Sequence, residues 1–129
     1  MSGRFLLDTN IVIALFAGDP SVEEQLEQAE EVFVPRIVLG ELYFGASKSG
    51  RAQQNLRRID EFGFNTAVIA SDIDTAREYG VIKSALQEKG QPIPENGIWI
   101  AAIARQHDLT LVTRDGHFKE VEHQKIEMW

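Results

Sequence analysis

The chain has 129 residues, of which 43% are hydrophobic and none is cysteine. This length supports one domain with a sizeable core but not two, and without cysteine neither disulfides nor thiolate metal sites can form. The formal net charge of -7 argues against binding nucleic acid by bulk electrostatics, because proteins that neutralise phosphate usually carry a net basic face. Asp8 follows only three consecutive apolar residues, far fewer than a signal peptide or membrane span requires. We therefore expect a single cytoplasmic domain over residues 1–129, with no membrane segment and only local contacts to nucleic acid.

The first half of the chain alternates short apolar runs with helical patterns. Residues 5–7 form an apolar run that predicts a strand, and the apolar segment 11–16 predicts the helix that follows. Ser21, with Glu24 three residues later, has the spacing of a capping box for a polar helix ending near residue 31. The other elements predicted in this half are a strand at 32–34 closed by Pro35, a helix from Arg36 to about Ser47, a basic helix at about 52–62 and a strand at 66–69.

The second half continues the same alternation. Ser71 or Asp72 is the predicted N-cap of a helix that runs to residues 89–90. The elements predicted after it are a rigid loop at 91–96, a buried helix at 98–104, a strand at 109–113, a turn at 115–116 and an edge strand at 125–128. Strands that alternate with helices indicate right-handed βαβ units. The pattern therefore predicts an α/β fold with a mainly parallel sheet of four to five strands covered by helices on both faces.

Two aspartates come after predicted strands. Asp8 directly follows the first strand, and Asp115 comes two residues after the strand that ends at Thr113. In open α/β sheets the ligand site lies beyond the carboxyl ends of the strands, so both carboxylates are expected at one rim. Each also has a structural alternative, since Asp8 has the position of an N-cap and the dipeptide 115–116 has the composition of a plain turn.

A third acid, Glu41, lies on a predicted helix without a basic neighbour. The residues three and four positions away from it are Ile37, Val38, Phe44 and Gly45. The carboxylate therefore projects from an apolar surface, where an unpaired charge is costly. No lysine or arginine lies one turn away, which leaves a distant ion pair or a bound metal as its partner.

Clustered carboxylates without cysteine ligands form an oxygen-rich site that suits Mg²⁺ or Mn²⁺ better than zinc. The three histidines lack the i, i+4 spacing of a helical metal pair, so we expect them at the surface. A bound divalent ion would lower the pKa of a water molecule, orient it toward a phosphodiester and stabilise charge on the leaving oxygen.

One stretch of the chain is locally basic. It carries four positive charges with no acid before Asp60, and these residues are Lys48, Arg51, Arg57 and Arg58. A solvated helix face is the commoner reason for such a pattern, and local contact with RNA phosphates is the alternative. Arg114 is a further candidate for phosphate contact because it adjoins Asp115, again with a solvated role as the alternative.

Four motifs, taken in order, resemble a VapC-type PIN domain. They are Leu7-Asp8-Thr9-Asn10, the helical Glu41, the Pro92-Ile93-Pro94-Glu95-Asn96 loop leading into Trp99-Ile100-Ala101-Ala102, and Thr113-Arg114-Asp115 before His117-Phe118. Their order and spacing match over essentially the whole chain. The resemblance implies a three-layer α/β/α PIN fold and a metal-dependent ribonuclease, the toxin of a type II toxin-antitoxin pair. It further implies an RNA substrate, with tRNA among the candidates, a homodimer, and a VapB-like antitoxin that blocks the groove.

The resemblance also assigns roles to single residues. Asp8, Glu41 and Asp115 match family acids that bind Mg²⁺ or Mn²⁺ or activate water, and the supporting positions are Thr9, Asn10, Asn96 and Thr113. The family usually has an aspartate directly after the loop asparagine, where this chain has Gly97. One charged ligand is therefore missing, unless Glu95 or ordered water replaces it, and the alternative for Glu95 is a solvent-exposed side chain. Two hypotheses follow: an active ribonuclease, or a catalytically impaired PIN module that binds RNA or an antitoxin without cutting.

Overall fold

The computed structural model describes residues 3–129, and its strands form one five-stranded sheet in the order β3-β2-β1-β4-β5. The strands are β1 (Arg4–Leu7), β2 (Glu31–Pro35), β3 (Ala67–Ile69), β4 (Thr110–Val112) and β5 (Ile126–Glu127). All four pairings are parallel. The chain moves outward from β1 through β2 to β3 and then returns to the other side of β1 with β4. The strand order therefore reverses between β1 and β4, where α/β sheets open a crevice for ligands.

Six α-helices connect the strands, and the sheet lies between helical layers as the middle of three layers. The helices are α1 (Thr9–Phe16), α2 (Pro20–Gln28), α3 (Arg36–Ser47), α4 (Ala52–Phe64), α5 (Ile73–Lys89) and α6 (Glu95–Gln106), with a 3₁₀ helix at Gly116–Glu120. Within residues 3–129, none of them is long and apolar enough to cross a membrane. The predicted α/β architecture with a parallel sheet is confirmed.

The core lies where the central strands meet helix α6. Leu6, Leu7, Leu111 and Val112 are fully buried in β1 and β4, as expected for parallel strands covered on both faces. Helix α6 buries six of its twelve residues, which confirms the buried helix predicted from its apolar sequence. This packing holds the carboxyl ends of β1 and β4 beside the first turn of α6.

The ends of two helices differ from the prediction. Helix α2 begins at Pro20, and its N-cap is Asp19, whose carboxylate accepts a hydrogen bond from the Ser21 amide at 3.0 Å. The predicted cap at Ser21 is wrong because proline suits the first helical position and moves the cap one residue ahead of it. Helix α6 begins at Glu95 rather than at 98, directly after Pro94. The end of the predicted loop, residues 95 and 96, thus forms the first turn of α6.

The prediction for helix α5 is confirmed at both ends. Asp72 caps the helix through a reciprocal pair of hydrogen bonds with Thr75, which resolves the choice between Ser71 and Asp72. At the other end Gly90 adopts a left-handed conformation, with φ of 67°, which glycine tolerates without steric cost.

Candidate functional site

A cleft of about 280 Å³ opens at the reversal point between β1 and β4. Its walls come from α1, α3, the first turn of α6 and the segment after β4. The acids that line it are Asp8, Glu41 and Asp115. The structure therefore brings together the three carboxylates that the sequence analysis selected.

Asp8 is both the N-cap of α1 and a wall of the cleft. Its carboxylate accepts hydrogen bonds from the Thr9 amide at 2.8 Å and from the Thr113 hydroxyl at 2.7 Å. The residue is only 7% exposed. Burial raises the pKa of Asp8 above its ordinary value of 3.8, and the nearby charge of Asp115 acts in the same direction, against the opposing hydrogen bonds. A buried carboxylate with a raised pKa is one that a cation would stabilise.

Glu41 reaches the cleft from α3 and is half-buried. Its Oε1 atom accepts a hydrogen bond from the Thr9 hydroxyl at 3.0 Å. No salt bridge formed within residues 3–129 includes Glu41. Of the two partners considered for this carboxylate, the distant ion pair is therefore not formed, and the Thr9 hydroxyl is the hydrogen-bond donor that Glu41 has within the described residues.

Asp115 caps the short 3₁₀ helix that follows β4. Its Oδ1 atom accepts a hydrogen bond from the amide of His117 at 2.9 Å and lies 2.8 Å from the Nδ1 atom of the same residue. The predicted turn is thus present, and it places Asp115 in the lining of the cleft. His117 is largely exposed, as expected, but it also lines the cleft. His117 was not predicted to line the cleft, although its position two residues after Asp115 is a local signal for a contact between the two side chains.

Polar side chains tie the two strand ends together beneath the acids. The Asn10 amide lies 3.4 Å from Asp8 and 3.5 Å from the Thr113 hydroxyl, and its carbonyl accepts from the Arg114 amide at 3.2 Å. Thr113 is fully buried. Asn96 lines the cleft from the first turn of α6. The residues predicted to support the acids therefore all lie beside them.

Glu95 lies outside this arrangement. It does not line the cleft, and its two carboxylate oxygens are bonded to Lys83 and to the Tyr79 hydroxyl, each at 2.5 Å. The hydrogen bond from Lys83 is the main cause that holds the pKa of Glu95 below its usual range. The prediction that Glu95 is a metal ligand is therefore corrected, because its charge is already compensated on the surface of α5.

Gly97 lines the cleft, at the position where the resemblance predicts an acid. A Cβ atom built there would lie 3.4 Å from the Phe118 ring and 3.6 Å from Ile93, which is ordinary van der Waals contact. Its φ is not in the left-handed region, so the backbone does not require glycine. The Cβ atom of a larger residue is therefore accommodated at this position.

The predicted RNA-contacting residues divide into two groups. Lys48, Arg51, Arg57 and Arg58 are exposed on or beside α3 and α4. Arg58 lines a second cleft of about 250 Å³ that shares Ile13 and Glu41 with the first. Two of these guanidinium groups are already engaged within the protein. Arg58 donates to the main-chain carbonyl of Phe16, and Arg114 donates to Asp19 and to a main-chain carbonyl.

The sequence family is decided by comparison with known proteins. The model of the PIN domain matches residues 5–124. The chain belongs to the PIN-domain family. It is 34% identical to Ribonuclease VapC2 of Haemophilus influenzae and 32% identical to the tRNA(fMet)-specific endonuclease VapC of Shigella flexneri, with 98% of each chain covered.

The solved structures agree with this placement. A crystal structure of VapBC2 from Rickettsia felis, bound to a DNA fragment of its promoter, matches this PIN domain with a TM-score of 0.89 at 30% identity. The match covers 100% of this chain and 99% of the other. The VapC-type PIN domain predicted from the order of four short motifs is confirmed.

Proposed function

We propose that this PIN domain is a Mg²⁺- or Mn²⁺-dependent endoribonuclease and the toxin of a VapBC-type pair. The observation that carries the proposal is the cleft at the β1–β4 reversal. Asp8, Glu41 and Asp115 line it, and none of them has a lysine or arginine partner in the described part of the chain. The names of the full-length relatives support RNA as the substrate class, and tRNA is the first RNA to test because one of them is named for it.

The side chains of the cleft fit a hard divalent ion. No group of three or more acids or histidines in residues 3–129 is close enough to hold one ion, but Mg²⁺ commonly binds through one or two carboxylates and keeps several waters. Asp8 and Asp115 would hold it, because both carboxylates line the cleft where the ends of β1 and β4 lie side by side. When bound, such an ion supplies a water activated for attack and stabilises charge on the leaving oxygen.

The protein's own groups then orient the reaction. Thr113 and the Thr9 amide hold the Asp8 carboxylate in one orientation. The Thr9 hydroxyl donates to Oε1 of Glu41. Oε2, which accepts no hydrogen bond from the described residues, would then accept the proton of the attacking water. The hydroxyl groups of two threonines thus restrain two carboxylates, Thr113 that of Asp8 and Thr9 that of Glu41.

The proposed partner is a VapB-like antitoxin. Structures of VapBC complexes from Rickettsia felis and Salmonella typhimurium align with at least 98% of this chain. A homodimer, which the family resemblance implies, stays a prediction that analytical ultracentrifugation of the isolated chain would test.

The second candidate is a PIN module that binds RNA or antitoxin without cutting, and Gly97 is the observation that favours it.

One assay separates the two candidates. Purified protein is assayed on total tRNA with Mn²⁺ and with EDTA, beside the variants Asp8→Asn and Asp108→Asn. Asp108→Asn is the control, because the Asp108 carboxylate is exposed and pairs with Lys125 outside the cleft. Mn²⁺-dependent cleavage that only Asp8→Asn abolishes supports the nuclease. Cleavage that survives Asp8→Asn contradicts the site, and a native chain that does not cut supports the binding module.

A further inference from the structure

Arg114 lies between two residues of the site, Thr113 and Asp115, yet its side chain does not line the cleft. Its Nη2 atom donates to Oδ2 of Asp19 at 2.8 Å, and its Nε atom donates to the main-chain carbonyl of Trp129 at 2.8 Å. Arg114 therefore joins the segment after β4 to the start of α2 and to the segment after β5.

Both anchors of this guanidinium are themselves fixed. Asp19 also accepts hydrogen bonds from the amide and the hydroxyl of Ser21, at 3.0 and 2.9 Å, as the N-cap of α2. The hydrogen bond from Arg114 is the main cause that lowers the pKa of Asp19 to about 2, so Asp19 is charged at neutral pH. The Trp129 ring packs edge-on against Phe5 of β1, with 5.0 Å between ring centroids.

The segment that Arg114 restrains carries the Asp115 carboxylate. The main-chain amide of Arg114 donates to the side-chain oxygen of Asn10. The amide of Asp115 donates to the Thr113 hydroxyl at 3.0 Å. That hydroxyl also donates to Asp8. The Arg114 side chain ties this turn to the start of α2 and to the segment after β5. The buried ring of Phe118 and a hydrogen bond from Lys89 to the Glu120 carbonyl hold the later part of the same segment.

We propose that Arg114, held by Asp19 and the Trp129 carbonyl, is a positioning residue that fixes the Asp115 carboxylate in the cleft. Its effect on cleavage rests on the proposed function, whereas its effect on the turn does not. The alternative, direct contact with an RNA phosphate, would require the guanidinium to leave one or both of its protein partners.

Hydrogen exchange tests the structural part without any assay of activity. The segment 113–120 is followed by mass spectrometry in Arg114→Ala, Arg114→Lys and Asp19→Asn, the last of which keeps an oxygen that can cap α2. Arg77→Ala is the matched control, because it removes an arginine–aspartate pair of 2.7 Å on the exposed face of α5. We expect exchange in the segment to rise by about threefold or more in Arg114→Ala and Asp19→Asn, less in Arg114→Lys and not in the control. Unchanged exchange in Arg114→Ala overturns the proposal.

Steady-state kinetics on RNA test the catalytic part with the same proteins. Positioning predicts that Arg114→Ala lowers kcat by about tenfold or more and leaves KM within about twofold, because small displacements of reacting groups are costly. The double variant Arg114→Ala/Asp19→Asn should be no slower than Arg114→Ala alone, because both substitutions disrupt the same contact between Arg114 and Asp19. If Arg114→Ala instead raises KM with kcat unchanged, and lowers the salt slope of RNA binding by about one, Arg114 contacts an RNA phosphate and the proposal is overturned. If the native chain does not cut RNA, the proposed nuclease function fails, and the exchange result alone decides the positioning role.

Discussion

Replacing Gly97 by aspartate is the sharpest test of the metal site, because it adds one carboxylate to the cleft at a position where the Cβ atom makes only ordinary contacts. The added Cβ meets Phe118 at 3.4 Å and Ile93 at 3.6 Å. Residue 97 is the third residue of α6, where an acid interacts favourably with the helix dipole by about 0.3–1 kcal/mol. We therefore expect Gly97→Asp to fold with a free energy of unfolding within about 1 kcal/mol of the native value.

The expected gain in metal affinity follows from charge. Two unit charges 4 Å apart in water attract by about 1 kcal/mol, so a carboxylate beside a divalent ion gains about 2 kcal/mol in an open cleft. This corresponds to roughly thirtyfold tighter binding. Calorimetric titration with Mn²⁺ measures it directly, and cleavage of tRNA by the same samples shows whether activity follows.

Two further variants separate the charge from the added volume. Gly97→Asn has nearly the shape of aspartate without its charge, and Gly97→Ala adds only the Cβ atom. Both should bind Mn²⁺ nearly as the native chain does. If Gly97→Asp binds Mn²⁺ no more tightly than Gly97→Asn, residue 97 does not face the ion and the proposed metal position is wrong.

Three other predictions address the acids and their supports. Asp8→Asn should abolish cleavage. Because burial raises the pKa of Asp8, the metal-free native protein should be most stable relative to Asp8→Asn below pH 3.8 and should lose that advantage as the pH rises through the raised pKa. Urea unfolding in EDTA at several pH values measures this difference in stability. Thr113→Val removes the buried hydroxyl that donates to Asp8 and should cost about 1–3 kcal/mol in unfolding free energy. The control Thr110→Val, at the start of β4, should cost less, and equal losses would contradict the role of Thr113. Glu95→Gln should leave both Mn²⁺ affinity and cleavage unchanged, since the native carboxylate is bonded to Lys83 outside the cleft, and a tenfold loss of affinity would restore Glu95 as a ligand.

The sequence determined the elements and the place of the two aspartates. Asp8 and Asp115 could be assigned to one rim because apolar strands alternate with helices, and the carboxyl ends of parallel strands share an edge. Glu41 could be selected because its helix offers no cation within one turn. These inferences succeed because they depend on local periodicity and on connection rules that hold for every parallel sheet.

Tertiary structure decided which charges are compensated and which face the cleft. Glu95 is bonded to Lys83 on a neighbouring helix, and Arg114 is bonded to Asp19, which lies 95 positions away in the sequence. The room beside Gly97 depends on Phe118, which arrives from the segment after β4. No local pattern encodes such contacts, because a side chain's partner is set by how whole elements pack against each other, and an ionised group engages whichever opposite charge that packing brings within reach.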